Sequence, residues 1–355
     1  MAEAEIIRLH DHRTKPDADG EAERKRCAAT TATGRPCRNF ALPDAEYCSI
    51  HARGSTAAQR RHPAQGIETP SRPPEPEPTR TVLDGIGDFL RRRLDGAYPV
   101  DDFGYDPELH REVLLPLQRA LYERYFRVRT LGVDRIPHEG AALLVGNHSG
   151  TIPVDAVMVQ HAVATEHPRH RTVRNVAADL AFNMPFVGHL ARKTGNAVAC
   201  DEDAHELLRR GEVVGVYPEG YKGVGKGWKD RYKLQRFGRG GFIEVALRTR
   251  TPIVPVAIVG AEEAFPMIAN AKLLARTFGF PYFPITPTFP LLGPLGLLPL
   301  PSRWLIEFGE PIPMDDYPED AAEDAMLVFD LTDRIRDTIQ QMLYRNLSLR
   351  GRAFI

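Results

Sequence analysis

Asn147-His148-Ser149-Gly150-Thr151-Ile152-Pro153-Val154-Asp155 decides how the rest of the chain is read. The apolar run just before it, Ala141 to Val145, reads as a buried strand that delivers His148 into a glycine-containing turn. Pro153 stands where the first turn of a helix begins, because its fixed φ suits that position and its missing N–H is not needed there. The stretch predicts an imidazole at the carboxyl end of a strand, where open α/β sheets build their sites. Asp155, on the first turn of the helix, is close enough in sequence to fold back to the ring. A carboxylate beside a histidine holds it in one tautomer and raises its basicity, which suits it to take a proton from an alcohol. The residues alone leave a second reading open, a loop histidine and an acid that satisfies a helix N-terminus.

Two further blocks follow in order. Val213 to Tyr217 reads as another apolar strand and ends in Tyr217-Pro218-Glu219-Gly220, and Thr251-Pro252-Ile253-Val254-Pro255-Val256 comes later. Together with the Asn-His-Ser-Gly start, they resemble the glycerolipid acyltransferase family that includes lysophosphatidate acyltransferases, over about Leu131 to Pro313. The resemblance implies transfer of a fatty acyl group from a thioester, acyl-CoA or acyl-carrier protein, to a hydroxyl of a lysolipid such as lysophosphatidate, without a covalent acyl-enzyme. It implies His148 as general base and Asp155 as its support, with Glu219 and Lys222 near the acceptor's phosphate. Asn147, Ser149, Gly220 and Lys226 complete the expected substrate-binding set, and no catalytic metal or organic cofactor is expected.

This chain departs from the family pattern in two places. The family usually has four residues between histidine and aspartate, whereas six intervene here, Ser149 to Val154. The pair survives only if the turn loops out. Members that use lysophosphatidate often carry an arginine at the end of the strand read here as Ala197 to Cys200, but this chain has Cys200-Asp201. A neutral acceptor therefore stays open, as do a hydrolase and a non-catalytic lipid-binding adaptor. A serine-hydrolase reading of Ser149 is weak, since no Gly-x-Ser-x-Gly elbow is present.

After Glu219 come Lys222, Lys226, Lys229, Arg231, Lys233, Arg236 and Arg239, interleaved with glycines. Such a loop brings backbone N–H groups and cationic side chains to a phosphate, on the acceptor or on coenzyme A; the plainer reading is a solvated basic loop. The formal net charge of -1 offers no global argument for nucleic acid, and none is expected as a partner.

The remaining organisation follows from composition. With 355 residues, 43% of them apolar, the chain is long enough for one catalytic domain and a small module. Residues 1–25 read as a charged disordered tail, 26–53 as a zinc module, 54–80 as a Pro-rich linker and 81–355 as the acyltransferase domain. Cys27, Cys37, Cys48 and His51 have ligand types and a Cys-x2-His spacing that suit a structural Cys3His zinc site, whose metal would stabilise a segment too short to fold alone; its partner is unknown. Val82 to Leu94 and Leu109 to Tyr125 predict two amphipathic helices, the second kinked at Pro116. Alternating strands and helices then predict an α/β fold with a largely parallel sheet flanked by helices. The Pro-rich apolar stretch Phe278 to Phe308, carrying Phe283, Phe289, Leu291, Leu292, Leu297, Leu298 and Trp304, is expected to be an exposed loop that meets a membrane surface or an acyl chain. The N-terminus has no apolar h-region, and the expectation is a cytoplasmic protein, peripheral on the inner face of the cell membrane.

Overall fold

Strands buried on both faces read as near-continuous apolar runs, since successive side chains point to opposite sides. The computed structural model describes residues 28, 89–96, 98–183 and 187–354 and shows this pattern in its central strands over 142–146, 213–216 and 253–259. In chain order the strands are β1 (Arg129–Leu131), β2 (Ala142–Gly146), β3 (Val173–Ala177), β4 (Ala197–Val198), β5 (Val213–Val216), β6 (Ile253–Val259), β7 (Ala269–Asn270), β8 (Pro284–Ile285) and β9 (Leu305–Phe308). Seven of them pair in the order β1-β9-β6-β2-β5-β3-β4, while β7 and β8 form a separate pair. β6, β2, β5, β3 and β4 run parallel. β9 lies antiparallel to β6 and parallel to β1. This is the largely parallel α/β sheet that the alternation of elements predicts.

Leu143 and Val145 of β2 join Ile253, Ala257 and Val259 of β6 in one core, and Ala142 and Leu144 join Val254, Val256 and Ile258 in the other. The first face is covered by the helices Asp201–Arg209, Gly241–Thr249 and Ala325–Arg350. The last of these buries Val328, Leu331, Ile335, Ile339 and Met342, a stripe at helical spacing. It starts where the Asp324 carboxylate accepts from the N–H groups of Met326 and Leu327 at 2.9 and 3.1 Å. The second face is covered by the helix Val154–Glu166 and by a helical run over 107–125.

That run contains Pro116 but is not broken there. α-Turns (Pro107–Leu109, Leu115–Arg119) alternate with π-turns (His110–Leu114, Ala120–Tyr125). Widening the turn before the proline makes room for its ring and absorbs the missing N–H, so the expected kink is spread over the π segments.

The chain divides into two units, Met1–Arg80 and Thr81–Ile355. The tail, the linker and the zinc ligands Cys27, Cys37, Cys48 and His51 lie outside the described residues, as do 81–88 of the first amphipathic helix; its 89–94 part is helical. Among the described residues no helix is long and apolar enough to cross a membrane.

One expectation is corrected. Trp304 does not belong to an exposed loop: it is 2% exposed, packs on Phe126 at 4.7 Å between ring centres, and donates from Nε1 to Ser302 Oγ. It immediately precedes β9, a strand hidden inside what reads as one Pro-rich apolar stretch. Cys200 is half-buried at the start of the Asp201–Arg209 helix.

Candidate active site

β2 ends at Gly146, and its side-chain-free face is occupied by the ring of Tyr217, which follows β5; a Cβ on Gly146 would meet that ring at 3.0 Å. The chain then turns through Asn147. The Asn147 side chain pairs with both backbone groups of Ile258, donating to the carbonyl at 3.0 Å and accepting from the N–H at 2.7 Å. This clamp to β6 aims the next residue, His148, out of the end of the sheet.

The turn Ser149–Pro153 loops out. Gly150 takes a φ of 80°, which a side chain would resist, and the N–H of Val154 donates to the carbonyl of Ile152. The two extra residues are thereby absorbed before the helix, and Asp155 comes back beneath the loop. Its Oδ2 accepts from His148 Nδ1 at 2.8 Å and from the Ser149 N–H at 2.8 Å, and its Oδ1 accepts from the Ala156 N–H. Asp155 is fully buried, whereas the His148 side chain is 15% exposed. A carboxylate only accepts, so the proton lies on Nδ1, and Nε2 presents a bare lone pair with no protein partner among the described residues. The Tyr217 ring stacks on the imidazole, 4.8 Å between centres and 27° between planes. Burial pushes the Tyr217 phenol well up, and Asp155 adds to it, so that hydroxyl stays protonated.

Beneath the histidine runs a chain of buried charges. Glu219 Oε1 accepts from the His148 backbone N–H at 3.0 Å, and Oε2 accepts from the Gln235 N–H at 2.7 Å. Lys226 Nζ lies 3.3 Å from Glu219 and 3.2 Å from Glu262. Glu262 in turn accepts from the Tyr232 N–H, the Tyr232 hydroxyl donates to Glu263, and Glu263 pairs with Arg350 at 2.8 Å. Gly223 closes the other side of the histidine: a Cβ there would sit 2.6 Å from the His148 carbonyl oxygen.

Asn147, Glu219 and Lys226, expected to contact substrate, are therefore turned inward. Their polar atoms are engaged within the protein: Glu219 holds the His148 N–H, Asn147 is clamped to Ile258, and Lys226 pairs with Glu219 and Glu262. Ser149 is buried too, and its hydroxyl bonds neither to His148 nor to any other described residue. Gly220 sits at the turn that precedes the Tyr221–Val224 helix, with φ 52°. Lys222 is exposed and lines a cleft of about 290 Å³ with Arg236, Gly238 and Arg239. Of the other loop cations, Arg231 lies over the Trp228 ring, and Lys229 and Lys233 face outward. Sequence reasoning missed Tyr217, Gly223 and Glu262, and it missed Tyr282, whose hydroxyl donates to the Thr151 carbonyl at 2.7 Å. A tyrosine adjoining the Pro-Glu-Gly block was the only visible hint of the stacked ring.

An imidazole with a free Nε2 and an aspartate on Nδ1 can act as a base, and a cleft of three cations can hold an anion. Residues 127–259 match the family model described as Acyltransferase. The chain is 53% identical over 291 residues to the uncharacterized protein Rv0502 of Mycobacterium tuberculosis, covering 82% of this chain and 81% of that one. It is 25% identical over 223 residues to a human protein described as a DGAT1/2-independent enzyme synthesizing storage lipids, covering 62% of each chain. Among solved structures it is similar to the 1-acyl-sn-glycerophosphate (LPA) acyltransferase PlsC from Thermotoga maritima, with TM-score 0.45, 17% identity and coverage of 76% of this chain and 90% of that one. The chain belongs to one family with the mycobacterial protein, and its residues 127–259 carry the match to the Acyltransferase family model.

Proposed function

We propose that the protein transfers a fatty acyl group from acyl-CoA or an acyl-carrier protein to the hydroxyl of a phosphorylated lysolipid, lysophosphatidate being the leading acceptor. The observation that carries this reading is the 2.8 Å bond between His148 and Asp155 at the end of β2, and the cleft lined by Lys222, Arg236 and Arg239 supplies the cations. His148 Nε2 takes the acceptor's hydroxyl proton as its oxygen attacks the thioester carbonyl. The tetrahedral intermediate collapses with loss of the C–S bond, and the departing thiolate takes the proton from the imidazolium, leaving an ester and a free thiol. Asp155 keeps the ring in the tautomer that can accept, and its charge stabilises the imidazolium. The three cations hold a phosphate of the acceptor or of coenzyme A.

A second reading, a neutral acceptor such as diacylglycerol, is favoured by Cys200-Asp201 after β4, where a cation would serve an anionic headgroup. The storage-lipid synthesis named for the human relative points the same way. Purified protein is to be incubated with acyl-CoA or acyl-carrier protein and an acceptor panel of lysophosphatidate, other lysophospholipids, diacylglycerol and water, with products read by mass spectrometry. The expected result is new phosphatidate that is lost in His148→Ala. Triacylglycerol as the dominant product moves the assignment to the second reading, and free fatty acid alone overturns acyl transfer.

A further inference from the structure

From Ala264 to Ile306 the chain carries no Asp or Glu, and its cations are Lys272, Arg276 and Arg303. Within this stretch large apolar side chains stand in solvent: Leu273 is 78% exposed, Phe278 61%, Leu291 85%, Leu295 69% and Leu298 61%. A scattered exposed leucine needs no explanation, but a cluster of this kind does.

The exposed groups belong to one structure. The helix Lys272–Phe278 follows β7, and the Phe278 ring stacks near Phe283, 6.2 Å between centres, with Phe283 itself 5.5 Å from Phe289. Phe289 leads into the 3-10 turn Gly293–Leu297. The turn is held from inside: Thr288 Oγ donates to the Gly296 carbonyl at 3.0 Å, and Gly296 is packed so closely on Thr288 that a Cβ would lie 2.4 Å from its carbonyl oxygen. This bond and that close packing hold the turn while Leu295 and Leu298 stay exposed, so the apolar knob is preformed. The platform abuts the site through Tyr282, which bonds the Thr151 carbonyl in the loop after His148 and packs where a Gly225 Cβ would be 3.1 Å from its ring.

We propose that this platform docks on the surface of an anionic phospholipid bilayer, with Leu291, Leu295 and Leu298 in the acyl boundary and Lys272 and Arg276 on the lipid phosphates. Apolar side chains with basic residues beside them, and no carboxylate to be repelled, match the chemistry of an anionic lipid surface. A protein partner would ask for polar side chains to pair, and this surface offers few. The inference rests on the lipid-acceptor reading for its purpose: docking beside the His148 loop brings a membrane-held acceptor to the base without extracting it into water.

The test is vesicle flotation of the full chain without any substrate, using phosphatidylcholine alone or phosphatidylcholine with phosphatidylglycerol. Wild type is expected to float with the anionic vesicles and to be released by salt. Combined Leu291→Ser, Leu295→Ser and Leu298→Ser should weaken binding by roughly tenfold or more at an unchanged melting point. Lys272→Glu with Arg276→Glu should abolish the preference for phosphatidylglycerol. As a single mild change, Leu295→Trp should shift its emission to the blue on anionic vesicles. Wild-type levels of flotation in the leucine variant, or no blue shift, overturns the proposal. So does a wild-type dimer that the leucine variant converts to monomer, because the face would then be filled by a second copy. Acyl transfer to a soluble short-chain acceptor is measured in parallel, so failed docking and failed acyl transfer are told apart.

Discussion

Asp155 carries two tasks with one carboxylate, and substitutions separate them. Asn keeps an acceptor for the Ser149 N–H but gives up the charge that fixes and supports the imidazole. Asp155→Asn should therefore lower kcat with KM nearly unchanged, whereas Asp155→Ala also unties the loop and should cost about 1–3 kcal/mol of stability. Steady-state kinetics beside thermal melting distinguish these, and loss of stability with intact activity per folded molecule would reduce Asp155 to a helix-end residue. Gly223 offers an independent check on the histidine's placement. A Cβ there would press on the His148 carbonyl oxygen at 2.6 Å, the Glu219 Cβ at 2.7 Å and the His148 Cβ at 3.1 Å, none of them the far end of a flexible chain. Gly223→Ala should displace the imidazole and lower kcat/KM by roughly tenfold to a hundredfold, since a shift near 1 Å at a reacting group is enough to do so. Wild-type kinetics in that variant would show that the base tolerates movement.

At the scale of elements, the loops after β5 and β6 are tied together by the Glu219, Lys226 and Glu262 chain, and this tie responds to pH. Burial pushes the Glu262 carboxyl up to about 7, although the Lys226 ammonium pulls it down. Because its value is higher folded than unfolded, the folded state binds the extra proton. The resulting stabilisation is full below the ordinary carboxyl range and is lost as pH rises through about 7. It amounts to something on the order of 3 kcal/mol, so wild type should melt lower at pH 8 than at pH 5.5, and Glu262→Gln should flatten that slope. A variant with the same slope as wild type would show that another group titrates. The tie also marks where sequence reading stops. The strands around His148 and Glu219 were legible because β2, β5 and β6 are apolar at every position, and the histidine was legible from its place after β2. The inward aim of Asn147 and Lys226 was not, because their partners Ile258 and Glu262 come from β6 and the loop beyond it, far along the chain. β9 escaped for a different reason: its four residues sit between prolines and lack the length and flanks that distinguish a strand from a loop.

At the scale of the whole molecule, the two units carry different burdens. Every residue of the base, the carboxylate chain and the cationic cleft lies in Thr81–Ile355, and so do both apolar cores. The Met1–Arg80 unit contributes Cys27, Cys37, Cys48 and His51, a ligand set suited to tetrahedral zinc, in a segment with few apolar residues to bury. If that unit is a separately folded metal module, removing it should leave chemistry intact. A chain truncated to start at Thr81 is expected to keep kcat and KM within about twofold of the full protein on a soluble acceptor, with a similar main melting transition. The full chain should carry about one zinc ion by elemental analysis, lost in Cys37→Ser or Cys48→Ser, while acyl transfer persists in both variants. Chelation gives the same contrast without mutation: ligand removal should abolish any low-temperature transition of the first unit and leave the second untouched. A folded but inactive truncated chain would mean that the first unit completes the site, and a metal-free full chain would mean that its cysteines serve another purpose.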